Sequence, residues 1–324
     1  MKTILVSGAS GVVGYGCLKS IRCSGEEYRL IGTSIHDDSV APKYCDVFEQ
    51  APVTSSKNYI GWLIGIIEKH KVDLIIPCIE IDMFAWAANM EVLAKTRTKI
   101  LLNNVDLINL CHDKWQFYTV LKNKAEEYAI PSEIDGDFIE LSNQFKLPFL
   151  LKPRRGYASK GIIKISEERQ FLYVKEISGT PMLAQPIIGN DENEYTTSAF
   201  FDNRSNLCAH MTLRRKLSEQ GYTEKAQVVQ LLGVEQAITK LAQIFKPVGP
   251  TNFQFREESG ELKLLEINPR ISSATSIRTA FGYNESMMSI NYFLHDIIPK
   301  QPSIKSGAAV RYLEDYIVYD RHNL

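Results

Sequence analysis

Asn252-Phe253-Gln254-Phe255-Arg256 and Leu264-Leu265-Glu266-Ile267-Asn268-Pro269-Arg270 alternate apolar and polar residues on either side of Glu258-Ser259-Gly260. Alternation of period two across such a turn predicts a hairpin over Thr251–Arg256 and Leu262–Ile267. Glu266 and Asn268 are two residues apart, so on paired strands they share a face with Gln254. Phe253, Phe255, Leu265 and Ile267 then point into the core. A face with one carboxylate and two amide oxygens offers hard oxygen ligands. That set suits Mg²⁺, which keeps several waters and completes its shell with phosphate oxygens. A solvated strand face is the plainer reading. The strongly apolar flanks and the immediate arrival of Arg270 weigh against it.

Upstream of the hairpin, Leu147-Pro148-Phe149-Leu150-Leu151-Lys152-Pro153 puts a lone lysine at the end of an apolar strand. An edge-strand solubility charge would explain Lys152 by itself. However, Arg154-Arg155-Gly156-Tyr157-Ala158-Ser159-Lys160-Gly161 follows at once. A cationic loop with glycines between two strands reads as a phosphate flap, through Arg154, Arg155, Gly156, Ser159 and Gly161. Further strands are predicted at Gly161–Ile165, Pro181–Gln185, Tyr195–Phe201 and Asn206–Leu213. Helices are predicted at Asp113–Tyr128, with Asp113 as N-cap, and at Val234–Phe245. Ala308–Leu313 and Tyr316–Tyr319 read as edge strands. His210-Met211-Thr212-Leu213-Arg214-Arg215-Lys216 ends in cations, so Arg214 and Arg215 are candidates for a substrate anion or for a solvated strand end.

The first third has a different rhythm. Strands at Thr3–Ser7, Tyr28–Thr33, Val72–Pro77 and Lys99–Leu102 alternate with helices at Gly14–Ile21, Tyr59–His70 and Met83–Lys95. This βαβ order predicts a parallel, doubly wound sheet over about residues 1–110 and a boundary near residue 112. Glu80 and Asp82 follow the strand Val72–Pro77, at the carboxyl edge where such sheets bind ligands. They are candidates for holding a substrate ammonium group. Gly8, Gly11 and Gly14 have the spacing of dinucleotide-binding turns. The second strand, however, ends Gly32-Thr33-Ser34 without the acid that a dinucleotide ribose requires. A sharp strand-to-helix turn is the favoured reading of these glycines. Tyr118 and Lys122 have a dehydrogenase spacing but lie in the helix that opens the second domain.

The chain has 324 residues, enough for about two domains. Hydrophobic residues are 44% and charged residues 23%, as in soluble globular proteins. Thirty-seven basic against 38 acidic residues leave a net charge of −1, which argues against a dedicated nucleic-acid binder. No apolar run approaches the ~18 residues of a membrane span. Ile4-Leu5-Val6 is too short for a signal-peptide core, so a cytoplasmic location is expected. The six cysteines form no C-x-x-C pair and are read as scattered reduced thiols.

Together these motifs resemble the ATP-grasp superfamily over about residues 1–300, most closely the carbamoyl-phosphate-synthetase-like branch of stand-alone ligases. Gln254…Glu266-x-Asn268-Pro269-Arg270 is similar to the family's metal and phosphate motif. The resemblance implies α/β plus α+β architecture. A Rossmann-like parallel-sheet (pre-ATP-grasp) domain at 1–112 would precede an ATP-grasp domain at 113–300 with a flexible lid at about 120–185. A tail at 301–324 would pack on the core. It also implies that Lys114 and Lys152 reach the nucleotide and that the backbone of Gln185, Pro186, Ile187 and Ile188 reads the adenine edge. Glu194 would hold ribose hydroxyls. Gln254 is neutral where many ligases have an acid, and the carbamoyl-phosphate branch has glutamine there too. At 324 residues the chain is too short for a full carbamoyl-phosphate synthetase, so that reaction is not expected.

The implied reaction uses ATP with Mg²⁺ (or Mn²⁺). A substrate carboxylate is activated as an acyl phosphate, then joined to an amine or similar nucleophile. Small carboxylates and amines are therefore the expected partners, with no nucleic acid and no membrane; a homodimer is compatible. Arg270 is the catalytic candidate, a bidentate phosphate clamp, with a brace to an acid as the plainer alternative. Two other classes compete. One is an NAD(P)-dependent sugar-nucleotide oxidoreductase or epimerase; the other is a non-catalytic ATP-binding module.

Overall fold

The computed structural model describes residues 1–156 and 161–319. Its first sheet is parallel, in the order β3-β2-β1-β4-β5. These strands are β1 (Lys2–Val6), β2 (Tyr28–Ser34), β3 (Val47–Gln50), β4 (Leu74–Ile76) and β5 (Lys99–Ile100). Residues 4–6 and 74–76 are buried without alternation, as expected of strands covered on both faces. One face carries the helices Tyr59–His70, Glu80–Ala88 and Val105–Cys111, packed through Leu63, Trp86 and Ile108. The other carries the helix Val12–Arg22 and, from far along the chain, Ile271, Met287 and Ile290. The chain just past Arg270 is thus anchored to the first sheet through Ile271.

The glycines after β1 have structural work. Gly8 adopts φ +61°, a region that costs residues with a Cβ. A Cβ on Gly14 would lie 2.2 Å from the Gly8 carbonyl oxygen, so the turn and helix can only close on glycine. Gly14→Ala is expected to destabilise the protein by about 1–3 kcal/mol through this overpacking. Urea unfolding checks it; an unchanged midpoint would mean that the turn gives way.

The larger sheet has the order β13-β12-β9-β10-β11-β14. It comprises β9 (Glu194–Phe201), β10 (Leu207–Leu217), β11 (Thr223–Val228), β12 (Gly249–Glu258), β13 (Glu261–Asn268) and β14 (Ala308–Val310). Phe253 and Phe255 sit on one face against the helices Val234–Phe245 and Lys114–Lys124. The hairpin turns through Ser259 and Gly260, both at positive φ (53° and 82°), the geometry that suits tight antiparallel turns. A small antiparallel sheet, β7-β6-β8, lies between the two larger ones in sequence. It contains β6 (Phe149–Pro153), β7 (Ile163–Ile165) and β8 (Met182–Pro186) and packs on the helices Phe138–Phe145 and Glu168–Ile177.

Several expectations need correction. Met83–Lys95 is not one helix: it divides into Glu80–Ala88 and Met90–Leu93. The first helix starts early because Glu80 and Asp82 occupy its first turn, where negative charge is favoured. β3, β11 and the helices Val105–Cys111, Phe138–Phe145, Glu168–Ile177, Thr275–Ala280 and Glu285–His295 are not foreseen from periodicity. Tyr316–Tyr319 forms no strand; Tyr316, Ile317, Val318 and Tyr319 are exposed. Leu265 does not point into the core. The β12–β13 register runs Gln254↔Glu266 and then Phe255↔Leu264, so Leu265 is the extra residue of a β-bulge. Leu262, Leu264 and Ile267 are the residues that face inward.

Candidate active site

The pairing Gln254↔Glu266 and Asn252↔Asn268 puts the expected oxygen ligands side by side on the face opposite Phe253 and Phe255. The same face continues across β9 and β10, where Arg256 pairs with Glu194 and Gln254 with Thr196. Asn268 Nδ2 donates to Glu266 Oε1 at 2.8 Å. Glu266 is half-buried and forms no ion pair among the described residues. Its charge instead acts on two lysines from different elements, Lys114 and Lys152.

Lys152 stands at the end of β6, half-buried. Burial pushes its ammonium from 10.5 down to about 8; Glu266 opposes this, while Lys114 and Arg256 reinforce it. Burial also lowers Lys114, against the pull of Glu266, Glu80 and Asp113. Lys114 Nζ donates to the Gly156 carbonyl at 2.9 Å, tying the helix start to the glycine loop. Two partly desolvated lysines beside one carboxylate form a cationic seam. Asp113 caps the helix as expected, accepting from the Trp115 and Gln116 amides at 3.1 Å each. Burial opposes ionisation of Asp113, yet Arg154 and these amides hold its carboxyl below the usual range.

The lowered Lys152 has a pH consequence. A phosphate favours the protonated lysine, so ATP affinity should be full below about pH 8 and fall above it. In the ligand-free protein the unfolded chain holds this proton up to 10.5 while the folded chain loses it near 8. Lys152 therefore makes stability rise with pH within that window. Calorimetry of ATP binding across the window is the check. Lys152→Arg should flatten the affinity profile; a wild-type profile already flat would refute the coupling.

Other expected contacts are rearranged. Gln254 Oε1 accepts from Arg215 Nη2 at 2.5 Å, so a guanidinium occupies the oxygen expected to face a metal. Glu194 is also occupied. Arg215 donates to its Oε1 at 3.1 and 2.9 Å, and Arg256 to its Oε2 at 3.1 and 2.9 Å, so ribose hydroxyls do not find a free carboxylate. Arg214 and Arg215 point to opposite faces, as neighbours on a strand must. Arg214 is exposed and bonds Gln227 at 2.6 Å, away from the site. Arg154 is turned onto Asp113 at 2.8 and 2.9 Å and does not project as a flap cation, whereas Arg155, 3.6 Å from the same carboxylate, is exposed. Gly156 and Gly161 flank the loop at φ 154° and 75°. Ser159 lies outside the described residues.

Gln185 and Pro186 end β8, and Gln185 Nε2 donates to Ser132 Oγ at 2.6 Å. Ile187 and Ile188 continue past the strand, and the Ile188 carbonyl accepts from Arg256 Nη1 at 3.2 Å. This bond joins the small sheet to the site face. Arg270 Nη2 lies 2.6 Å from Glu80 Oε1 and 3.4 Å from Asn268 Oδ1, while Nη1 donates to the Ile271 carbonyl at 3.0 Å. Glu80 is thus salt-bridged to Arg270 and does not stand beside Asp82 as a second ammonium ligand. Tyr118 and Lys122 contact each other (5.8 Å from ammonium to ring centre), with Tyr118 buried in the core under the larger sheet.

Sequence reading missed the floor of the site. Arg278 is fully buried, and its Nη2 donates to Thr196 Oγ1 at 3.0 Å and Asn252 Oδ1 at 3.1 Å. Its Nη1 reaches Ser272 and, at 3.4 Å, Glu285, which accepts from Ser198 at 2.5 Å. Arg256 was legible, since it is two residues beyond Gln254 on the same strand. Arg278 and Glu285 were not: nothing local distinguishes them from surface helix charges.

A sequence-family profile described as "ATP-grasp in the biosynthetic pathway with Ter operon" matches residues 180–316. The carbamoyl phosphate synthase large chain of Thermotoga sp. (strain RQ2) is 22% identical, over 98% of this chain and 32% of the relative. That of Methanosarcina mazei is 23% identical over 67% of this chain and 22% of the relative. The chain thus spans about a third, or less, of these curated relatives. N5-carboxyaminoimidazole synthetase from Staphylococcus aureus complexed with ADP superposes with a TM-score of 0.74 at 19% identity, covering 94% of this chain and 80% of that one. The biotin carboxylase–β,γ-ATP complex from Campylobacter jejuni gives 0.74 at 18%, covering 95% and 74%. The chain has the ATP-grasp fold. Within it, the resemblance to carbamoyl-phosphate-synthetase-type sequences extends along nearly the whole length. Among the described residues, no helix is long and apolar enough to cross a membrane.

Proposed function

We propose that the protein is an ATP-dependent ligase that activates a carboxylate as an acyl phosphate and joins it to an amine. The observation that carries this reading is the Glu266 carboxylate, free of ion pairs among the described residues, facing the partly desolvated Lys114 and Lys152. This arrangement suits a polyphosphate whose charge the lysines neutralise. Glu266 and Asn268 supply two hard oxygens, a fit for Mg²⁺ that arrives with phosphate oxygens and waters. The ion would neutralise developing charge on the transferred phosphoryl group. Gln254 is left out of this set because Arg215 holds its oxygen.

In the first step a carboxylate oxygen of the substrate bonds to the γ-phosphorus and the bond to the β-bridging oxygen breaks, releasing ADP. In the second, an amine nitrogen bonds to the acyl carbon, the carbon–oxygen bond to phosphate breaks, and phosphate and a proton leave. The chain's contribution is positioning and charge, since little covalent chemistry is asked of it. Lys114 and Lys152 hold the phosphates. Arg270 sits at the exit of β13, where its guanidinium can bridge two acyl-phosphate oxygens, while Glu80 fixes its orientation. The turn at Ile187 and Ile188 offers backbone groups to the adenine edge. Matrix screening tests the reading: ADP release is measured for carboxylates crossed with amines, with Mg²⁺. ADP release that requires both partners is expected. ATP binding without ADP release from any pair would favour a binding module instead.

A further inference from the structure

A cavity of about 920 Å³ opens where β1, β2 and β4 end, on the carboxyl edge of the parallel sheet. Its volume is typical of a small-molecule site. The walls are mainly apolar, with Ile35, Val53, Ile79, Ile81 and Phe84 among them. One buried charge lines it. Asp82 is 3% exposed and accepts from Thr54 Oγ1 at 2.6 Å. The Tyr59 hydroxyl, raised well above its ordinary range by burial and then by Asp82, is its other neighbour. Hydroxyls and the start of the helix Glu80–Ala88 ease this negative charge without cancelling it. Among the described residues, no lysine or arginine lines the cavity or forms an ion pair with Asp82. A buried carboxylate lacking a counter-charge is costly unless a cation joins it.

The glycine turn at the cavity's rim does not reverse this polarity. Two of its amides are already engaged: Ala9 N donates to the Thr33 carbonyl at 2.9 Å and Gly11 N to the Gly8 carbonyl at 3.0 Å. A second carboxylate, Asp38, lines the cavity as well. His36 also lines the cavity but is exposed, so the buried charge presented to a ligand is the negative one of Asp82. Glu80, two residues before Asp82 on the same helix, does not line the cavity and is paired with Arg270.

We propose that this cavity binds an apolar molecule bearing a cationic amino group, with Asp82 as its counter-charge. The proposal rests on the ligase reading only for the role of that molecule as the amine partner; binding itself stands apart. Calorimetry with the full chain tests it, using 2-phenylethylamine and isopentylamine against 2-phenylethanol and 3-phenylpropanoate. At least one amine should bind about ten-fold more tightly than the alcohol and the acid. Asp82→Asn, which keeps the hydrogen-bond acceptor, should remove that preference. Ile81→Lys should do so too, and its 47% exposure lets the fold accept the charge. ATP binding, measured in the same samples, should be retained in both variants. Equal or tighter binding of the alcohol or acid, binding by neither amine, or an amine preference unchanged in both variants would overturn the assignment. If the amine binds as expected but wild type does not bind Mg-ATP, the ligase reading fails and the cavity assignment stands.

Discussion

Arg278→Met should destabilise the protein by about 3–5 kcal/mol, because it strands a buried carboxylate. Arg278 and Glu285 are both fully buried, and the guanidinium also holds Thr196 and Asn252 on the site face. Burial lowers the Arg278 pKa, and Glu285 is the first group that opposes this. The charge is thus tolerated because of its partners. Removing one partner leaves the other uncompensated, whereas removing both leaves only polar remnants. The double variant Arg278→Met, Glu285→Leu should accordingly recover part of the loss. Urea denaturation measures both. A single-variant loss under about 1 kcal/mol, the range of an exposed pair, would show that the network is not closed to water.

The second large effect is on turnover. Arg270→Lys should lower ADP release by about 10²–10³-fold while leaving Mg-ATP binding near wild type. Lysine can keep the single contact to Glu80 but cannot present two parallel donors to phosphoryl oxygens. If Arg270 were only a brace between Glu80 and the end of β13, lysine would largely substitute for it. Near-normal turnover with a lowered melting temperature would establish the brace and remove the clamp. The 2.6 Å contact to Glu80 makes this comparison informative, because a positioning role for Glu80 is visible before any substrate is added.

Alternation made the hairpin legible, and with it the neighbourhood of Gln254, Glu266 and Asn268. What alternation could not reveal is the bulge at Leu265, since one extra residue leaves the composition unchanged while altering which side chains face inward. The parallel sheet was legible from its βαβ rhythm because strands covered on both faces read as continuous apolar runs. Half-exposed β3, short and at the sheet edge, carries no such signal. Lys114 and Lys152 were identifiable by resemblance; their mutual desolvation is a property of the fold. The arginine pairs around Glu194 illustrate the limit. Arg215 and Arg256 lie 41 positions apart in sequence, and only the β10–β9–β12 register brings them to the two oxygens of one carboxylate.

The most direct test of the ligase reading is calorimetric titration of ATP with and without Mg²⁺, in wild type and in Glu266→Gln. Wild type should bind ATP more tightly with Mg²⁺ than without it, and Glu266→Gln should lose that difference while retaining its fold. Saturation at about 100 times the dissociation constant should also raise wild-type stability by roughly 2.7 kcal/mol. An identical Mg²⁺ response in both proteins, or no ATP binding by wild type at all, would contradict the assignment of this site.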